Sequence, residues 1–567
     1  MKVRGPLFPA TTRLFGYCLL VGLLGAVAAL IFDLMVELGE RWLLVEITGW
    51  RPPGAGTLTP FAEAPSWASR WRFPVVTTLG GLLGGFLVYR WAPETEGHGT
   101  DAAIAAYHRG DEIRGRSPLI KAVASALTIG SGGVAGREGP TAQIVVGLGS
   151  VVSRLSGLRG EERRILLLAS MAAGLAAIFR APLGMAIFAV EILYAGMVFE
   201  SEALIYTVIA AVTAYALHGL VAGWVPVFAI PSGLTFDQPE ALLAFAVLGV
   251  AAGLLGALLP ALFYRTQALF RRLPLPPHLK PALGGLLVGL LAMAVPAVLG
   301  TGYGWVELAL AGSLSGGTLL LLLALKAPAM CLTIGSGGSG GVFGPTVVMG
   351  AMLGGAVGLG FQRLIPALDI VPAAFVVVGM AAVFSGAART PISTLIMTAE
   401  MTGGYGLIVP TMLANVLAFL VQRSLTAGAE HPTLYRSQVP SREDSPAHRG
   451  VFVRRALELL EGGAIEPRDL SLPRLVSMLQ YGEPVPLGHG AAMLVSLEVE
   501  EGSPLDGATV AQAIGPEKGA STVAVLRAGE MIVPRGPTRF QTGDQVILLT
   551  IPGAQEELER LARAKPP

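Results

Sequence analysis

The chain has 567 residues, of which 53% are hydrophobic and only 14% are charged, and its formal net charge is +1. Soluble domains carry about 25% charged residues, so this composition indicates a large membrane domain rather than an all-soluble protein. A net charge so close to zero implies no nucleic-acid partner. The two cysteines, Cys18 and Cys331, lie in apolar runs and predict neither a disulfide framework nor a metal site.

Long uncharged stretches recur between residues 14 and 422, and each is able to cross or enter a bilayer. The first, Leu14 to Phe32, follows basic residues and has no evident cleavage site. It predicts a membrane span rather than a signal peptide, with a cytoplasmic N-terminus. The stretch from Ala327 to Gln362 is too long for one span and is interrupted by GSGGSGGVFGP. Irregular backbone at membrane depth is tolerated only where it is buried in protein or lines a polar cavity.

An internal repeat organises the apolar region. Residues 129–141 read IGSGGVAGREGPT, and residues 334–346 read IGSGGSGGVFGPT. Each copy is followed by a matching Met-Ala-Ala segment and then by a matching glutamate. We therefore predict an all-α polytopic membrane domain made of two repeated halves, about residues 14–220 and 241–425. Matched breaks in two halves predict broken helices and a substrate site where the halves meet.

The character of the sequence changes after about residue 437. Polar residues open a linker that is predicted to be partly helical, and alternating strand patterns with Gly and Pro turns follow it. The predicted organisation is a membrane domain over residues 1–437, a linker over 438–489, and a small soluble α+β domain over 490–567.

Two charges stand inside the first repeat copy, Arg137 and Glu138 of the GREGP segment, and they are the only charges between Lys121 and Arg154. Charged residues within a membrane segment are expensive, so each is a candidate functional residue. Pro140 suits the first turn of a helix, whose free N–H groups and positive dipole end favour an anion.

The second repeat copy offers a similar helix start without a charge, GVFGP at residues 341–345. Two such helix ends meeting in the bilayer would bind a small anion through dipoles, weakly enough for conduction. The Glu138 carboxylate could take the place of the anion and, once protonated, leave it, which would link anion occupancy to protonation. The alternative is a structural ion pair of Glu138 with Arg137 or another buried cation.

These segments, together with RAPLGMAIFAVEI, RTPISTLIMTAEMT and HPTLY, resemble the CLC family of chloride channels and chloride/proton exchangers over about residues 12–437. The resemblance implies inverted halves, a homodimer with one pore per subunit, and Glu138 as the gating glutamate. The anion contacts that it implies are the backbone N–H groups of Arg137, Glu138 and Gly139 at an outer site, those of Val342 and Phe343 at a central site, and the Tyr435 hydroxyl. For Tyr435 the alternative is an interfacial tyrosine at a helix end.

Two positions depart from the family pattern. The family typically has GSGIP where this chain has GHGTD at residues 97–101, so His98 replaces the serine that would contact the anion. An imidazole N–H can donate to an anion, and the alternative is a histidine facing an aqueous vestibule. The inner proton-relay glutamate of some family exchangers falls at Ile192, which weakens the expectation of proton coupling. The neighbouring Glu191 is expected to be structural, like its repeat mate Glu400.

Residues 490–567 resemble the TrkA-C (RCK-C) domain through VAVLRAGEMIVPRG and FQTGDQVILLT, and do not resemble a CBS pair. This resemblance implies a cytoplasmic module that senses a small-molecule ligand. The alternative is a dimerisation or stability appendage.

The predicted function is transport of chloride, or of another small anion, across the cell (inner) membrane by proton-coupled antiport gated by Glu138. A passive voltage- or ligand-gated chloride channel is the alternative, and a potassium transporter is a remote one, because the TIGSGG strings superficially resemble a carbonyl filter. The chain has no Walker A lysine, HExxH or nucleophile elbow, so we predict neither an enzyme nor a cofactor. The expected partners are small anions, protons, the bilayer, a second copy of the chain and a ligand of the C-terminal domain.

Overall fold

A computed structural model describes most of the chain in two compact units. The described residues are 9–54, 65–110, 113–231, 233–442, 444–448, 485–487, 492–514, 519–527, 530–532, 534–551, 554, 558, 561 and 562. One unit falls within Met1–Tyr107 and Asp111–Gln438, and the other within His108–Gly110 and Val439–Pro567. The predicted linker over 438–489 lies mostly outside the described residues, so its boundaries stay predictions.

The first unit is built from apolar helices in two successive sets. The helices of the first half are α1 (Pro9–Gly39), α2 (Glu46–Thr48), α3 (Arg72–Trp91), α4 (Thr100–Arg109), α5 (Ser117–Gly130), α6 (Glu138–Leu155), α7 (Gly160–Phe179), α8 (Pro182–Glu191) and α9 (Ser201–Ala222), with a π-helical turn at Glu40–Val45. Those of the second half are α10 (Leu242–Arg272), α11 (Lys280–Ala294), α12 (Tyr303–Leu310), α13 (Gly316–Gly335), α14 (Phe343–Leu364), α15 (Pro372–Ala388), α16 (Pro391–Thr402) and α17 (Ile408–Leu425). Short 3-10 turns lie at Trp67–Ser69, Pro93–Thr95, Pro239–Ala241, Pro277–Leu279, Pro296–Val298, Pro366–Leu368 and Tyr405–Leu407.

Within the described ranges, eight helical segments are long and apolar enough to cross a membrane. These helices carry apolar side chains on their exposed faces as well as on their buried faces. On α10, for example, Leu243, Leu254 and Leu258 are each more than half exposed. An apolar surface of this kind suits contact with lipid rather than water. The predicted all-α polytopic membrane domain is confirmed.

Each predicted helix break falls in a loop of the repeat. The loop 131–137 separates α5 from α6, and the loop 336–342 separates α13 from α14. Gly132 and Gly337 occupy equivalent positions in these loops, with φ of +95° and +100°. Glycine reaches this region without steric cost, so each helix can end there and the chain can turn into the next helix. We call 131–137 and 336–342 the two repeat loops.

The short helices α8 and α16 cap one another. Glu191, the last residue of α8, accepts hydrogen bonds from the backbone N–H groups of Ile392 (3.1 Å) and Ser393 (2.8 Å) at the start of α16, and from the Ser393 hydroxyl. Glu400, near the end of α16, accepts hydrogen bonds from the backbone N–H groups of Leu183 (3.2 Å) and Gly184 (2.8 Å) at the start of α8. A carboxylate at a helix N-terminus satisfies free donors and complements the helix dipole. These contacts agree with the expected structural role of both glutamates.

The second unit is a small antiparallel sheet with helical segments. Its strands are β1 (Val485–Leu487), β2 (Ala492–Glu498), β3 (Ala520–Arg527), β4 (Glu530–Ile532) and β5 (Gln545–Thr550), in the order β1-β2-β5-β3-β4. A short helix, α18 (Val510–Ala513), opens with a capping box between Thr509 and Gln512. The buried side chains include Val495, Val525, Phe540, Val546 and Leu548. The predicted α+β class of this domain is confirmed.

Candidate anion site

Three loops of the first unit are joined by backbone hydrogen bonds. The two repeat loops pair through Gly136 and Gly341, whose N–H groups donate to each other's carbonyls at 2.7 and 2.8 Å. The segment that precedes α4 joins them, because the Gly340 N–H donates to the Gly97 carbonyl at 3.2 Å. The residues predicted from GREGP, GVFGP and GHGTD are therefore brought to one place.

Close approach of these loops requires glycine at Gly139, in the first turn of α6. A methyl group in place of its hydrogen would lie 1.9 Å from the His98 carbonyl oxygen and 3.1 Å from the Gly341 Cα. The first distance is too short for any side chain and its partner is a backbone atom, so only glycine fits. The Gly139 N–H belongs to the unpaired donors of a helix N-terminus.

The Glu138 side chain lies between the starts of α6 and α14. Glu138 is the first residue of α6 and is only 1% exposed. A methyl group built at Gly136 would meet its Oε2 at 2.0 Å, and one built at Gly344, in the first turn of α14, would meet its Oε1 at 3.2 Å. The positive ends of two helix dipoles favour a negative charge at this position.

Arg137 pairs with an acid other than Glu138. Its Nη1 lies 3.0 Å from Asp33 Oδ1 on α1, and the Nε2 of His218 on α9 lies 3.8 Å from the other Asp33 oxygen. In the part of the chain that the structure describes, no ion pair joins Glu138 to Arg137 or to another cation. The alternative of a structural Glu138–Arg137 pair is therefore wrong.

Tyr303 is a site residue that sequence reasoning missed. It begins α12, and its hydroxyl donates a hydrogen bond to Glu138 Oε1. Its ring packs edge-on against Phe228 at 5.2 Å between centroids. The only sequence signal is a tyrosine after Gly-Thr-Gly at the start of a short apolar helix, which does not indicate its partner 165 residues away.

A cavity of about 1030 Å³ reaches the Tyr303 side of the site. Its lining carries both signs of charge, with Asp33, Glu37, Arg137 and His218 among the side chains that face it. Because Tyr303 and Arg137 line the cavity and flank Glu138, polar and titratable groups of the cavity lie close to Glu138.

The two predicted central-site residues lie in an aromatic cluster. Val342 and Phe343 are 1% and 3% exposed at the start of α14. The Phe343 ring lies 4.4 Å from Phe179 and 4.1 Å from Phe384, and Phe384 lies 6.5 Å from Tyr435. Tyr435 is 3% exposed, so it is buried among aromatic rings rather than placed at an interface.

His98 lies beside Tyr435. Its ring is edge-on to that of Tyr435 at 5.4 Å, and it is 5% exposed. Its Nε2 lies 3.1 Å from Asp101 Oδ2 on the first turn of α4. The alternative of a histidine facing an aqueous vestibule does not fit this burial.

Two buried lysines, also missed by sequence reasoning, hold the surrounding loops at equivalent positions of the repeat. Lys121 on α5 donates to the carbonyl oxygens of Thr95 (3.0 Å) and Gly97 (2.7 Å). Lys326 on α13 donates to those of Val298 (3.0 Å) and Gly300 (2.7 Å). Each lysine thus satisfies the carbonyl groups of a loop next to a repeat loop.

Comparison with known proteins places this arrangement in a family. The family model described as "Voltage gated chloride channel" matches residues 80–423, and the TrkA-C domain model matches residues 494–563. A ClcB-like protein of Ralstonia nicotianae is 32% identical over 435 residues, covering 75% of this chain and 96% of that protein. The H(+)/Cl(-) exchange transporter ClcA of Vibrio cholerae is 31% identical over 415 residues, covering 72% of this chain and 86% of that protein.

Solved structures share the fold of the membrane unit. A slow cyanobacterial Cl-/H+ antiporter matches with a TM-score of 0.66 and 24% identity, over 76% of this chain and 97% of that chain. A CLC-type fluoride/proton antiporter matches with a TM-score of 0.63 and 20% identity, over 76% of this chain and 98% of that chain. The chain is a multi-pass membrane protein that belongs to the CLC (voltage-gated chloride channel) family and carries a C-terminal TrkA-C domain.

Proposed function

We propose that the protein exchanges chloride for protons across the membrane and that Glu138 is its gate. The observation that carries this proposal is the Glu138 carboxylate buried between the N-terminal ends of α6 and α14, with Tyr303 as its hydrogen-bond donor. Relatives at 31–32% identity include named H(+)/Cl(-) exchange transporters.

The same position can hold either the ionised carboxylate or an anion. An ionised Glu138 competes with chloride for the two helix ends, because both are negative. Protonation removes the charge, so the side chain can leave and chloride can enter. Anion occupancy and protonation of Glu138 are then thermodynamically linked, which is the requirement for coupled exchange.

The groups that we propose to contact the anion lie at the starts of α6 and α14 and beside the aromatic cluster of Phe343, Phe384 and Tyr435. The backbone N–H groups of Arg137, Glu138 and Gly139 form the outer site, those of Val342 and Phe343 form the central site, and Tyr435 and His98 lie next to the central site. In these sites backbone N–H groups contact the anion, and no cationic side chain does. Anion binding therefore stays weak, as rapid transport requires.

A passive chloride channel is the second candidate, and one position favours it. Ile192, at the end of α8, stands where some family exchangers have a proton-relay glutamate, and it is fully buried. An apolar side chain there cannot carry a proton. In the antiport proposal a proton from the inner side must therefore reach Glu138 by a route that does not use position 192.

We further propose that the chain acts as a homodimer in the cell (inner) membrane, with the TrkA-C domain in the cytoplasm as a small-ligand sensor. The exposed apolar side chains of α17, among them Val409, Met412 and Leu420, suit either lipid or a second copy. Cross-linking in membranes from cells that express the protein, with cysteine pairs on α17, would distinguish the two. An exclusively monomeric product would count against the dimer.

The test of transport uses purified protein in chloride-loaded liposomes, with chloride efflux and external pH recorded together. We expect wild type to release chloride and take up protons, and Glu138→Gln to release chloride without protons. Glu46→Gln, at an exposed glutamate on α2, is the matched control and should behave as wild type. Chloride release by wild type without proton uptake would establish the channel, and no chloride release would overturn the choice of substrate.

A further inference from the structure

His98, which is buried, and Asp101, whose side chain is 25% exposed, form a pair beside the aromatic side of the site. The Asp101 carboxylate can only accept hydrogen bonds, so the imidazole Nε2 at 3.1 Å from it carries a proton. The other ring nitrogen, Nδ1, is buried and has no hydrogen-bond partner among the residues that the structure describes. A buried polar atom without a partner is rare and calls for a ligand.

Asp101 also places the chain segment that carries Tyr435. Its Oδ1 accepts from the Ser437 N–H at 3.0 Å, and its Oδ2 accepts from the Arg436 N–H at 3.2 Å. One carboxylate therefore orients the imidazole of His98 and fixes the backbone that directly follows Tyr435.

The charged surroundings of His98 are mixed. The titratable or charged side chains near it are Glu96 on its own loop, Asp101 on the following helix α4, Lys121 on α5, Glu138 on α6, Tyr264 on α10, and Tyr435 with its neighbour Arg436. Lys121 reaches the Gly97 carbonyl and opposes a second positive charge, whereas Asp101 is in direct contact and favours one.

We propose that the His98–Asp101 pair is a proton-accepting anion ligand, which donates from Nδ1 to the transported anion when the imidazole is protonated. The neutral imidazole presents a lone pair at Nδ1, which repels an anion. The imidazolium presents an N–H there instead, and Asp101 balances its charge. The imidazole of His98 then takes up a proton when the anion binds beside it, at a position distinct from Glu138.

Imidazole is the side chain that changes charge between about pH 5 and pH 8. A proton that is taken up with the anion makes binding tighter as pH falls, by at most about tenfold per pH unit for one linked proton. The family serine in this position has no such dependence. The inference rests on the proposed function, because it requires that the site binds chloride.

The experiment measures chloride affinity by isothermal titration calorimetry at pH 8 and pH 6, in the Glu138→Gln background so that the gate cannot titrate. We expect the dissociation constant to fall by about fivefold or more from pH 8 to pH 6 in this background. Adding His98→Asn, which keeps a donor near the Nδ1 position without titrating, should reduce the change to less than about twofold. Adding His278→Asn, at a half-buried histidine before α11, should leave the fivefold change intact.

A second measurement covers the case in which His98→Asn fails to fold. Chloride added to unbuffered Glu138→Gln protein should remove protons from solution at pH 6.5 to 7, and absence of this uptake would overturn the proposal. An equal pH dependence with and without His98 would overturn it too, while leaving proton-coupled exchange through Glu138 standing. Failure of the wild type to bind or move chloride at all would overturn both proposals.

Discussion

The Tyr303 hydroxyl donates a hydrogen bond to the Glu138 carboxylate, so a residue of the second half of the membrane unit holds the proposed gating side chain of the first half. Tyr303 itself is held in place by Phe228, and the preceding Thr301 hydroxyl donates to the Ala135 carbonyl at 2.7 Å, in the repeat loop before Glu138. The contact thus stabilises Glu138 at the starts of α6 and α14, where, under the proposed function, its carboxylate blocks an anion.

Replacing Tyr303 by Phe removes this donor and keeps the ring. A hydrogen bond to a charged group contributes about 1.5–3 kcal/mol, so the ionised carboxylate should leave the helix ends more readily. We expect the chloride turnover of Tyr303→Phe to rise several-fold in liposome efflux. The matched control is Tyr194→Phe, which removes a tyrosine–glutamate hydrogen bond at Glu200 and should leave turnover unchanged. An unchanged rate in Tyr303→Phe would show that the hydroxyl does not hold the gate.

Local sequence predicted the parts of the site that are written as motifs. The GREGP and GVFGP segments, their repetition and the position of Glu138 at a helix start required no knowledge of the fold. Tyr303 could not be predicted in this way, because its partner is 165 residues away and a tyrosine is common at the end of an apolar helix. The environment of His98 could not be predicted either, since its burial depends on packing against Tyr435.

The two buried lysines repeat in the sequence, and this repetition is a signal from which their shared role could be predicted. Lys121 and Lys326 stand at the same offset as the two repeat loops, and both are fully or almost fully buried. A lysine at the same position of two apolar helices indicates that both copies of the repeat need a hydrogen-bond donor there. The carbonyl groups that they satisfy lie in loops of irregular sequence, so their identity required the structure.

The mutual capping of α8 and α16 predicts unequal stability losses. Glu191 is fully buried and accepts three hydrogen bonds, whereas Glu400 is partly exposed and accepts two. Glu191→Gln should lower the free energy of unfolding by about 1–3 kcal/mol and Glu400→Gln by about 0.5–1.5 kcal/mol. Thermal unfolding in detergent would rank them. The ratio of protons to chloride should not change in either variant, and a changed ratio in Glu191→Gln would assign that residue to proton transfer instead.

The TrkA-C domain should be dispensable for transport. Its sheet has its own buried core, including Val525, Phe540 and Leu548, so we expect it to fold as a unit of its own. We expect a chain that ends before residue 490 to move chloride at the wild-type rate in liposomes and to lose any response to a ligand of this domain. If the truncated protein fails to insert or unfolds at a much lower temperature, the domain has a role in stability.

Gly139 tests whether the three loops must meet as closely as the structure places them. In Gly139→Ala the new methyl group would overlap the His98 carbonyl oxygen at 1.9 Å, and backbone cannot move aside as a flexible side chain can. Overpacking of this kind costs about 1–3 kcal/mol, and it would separate the His98 loop from the start of α6. We expect chloride binding, measured by calorimetry, to weaken by at least about tenfold. Gly16→Ala is the matched control, because its methyl group would have no neighbour within 4 Å, and helix propensity predicts a stability equal to or slightly above wild type. Normal chloride affinity in Gly139→Ala would mean that the anion is not bound where the GREGP and GHGTD segments touch.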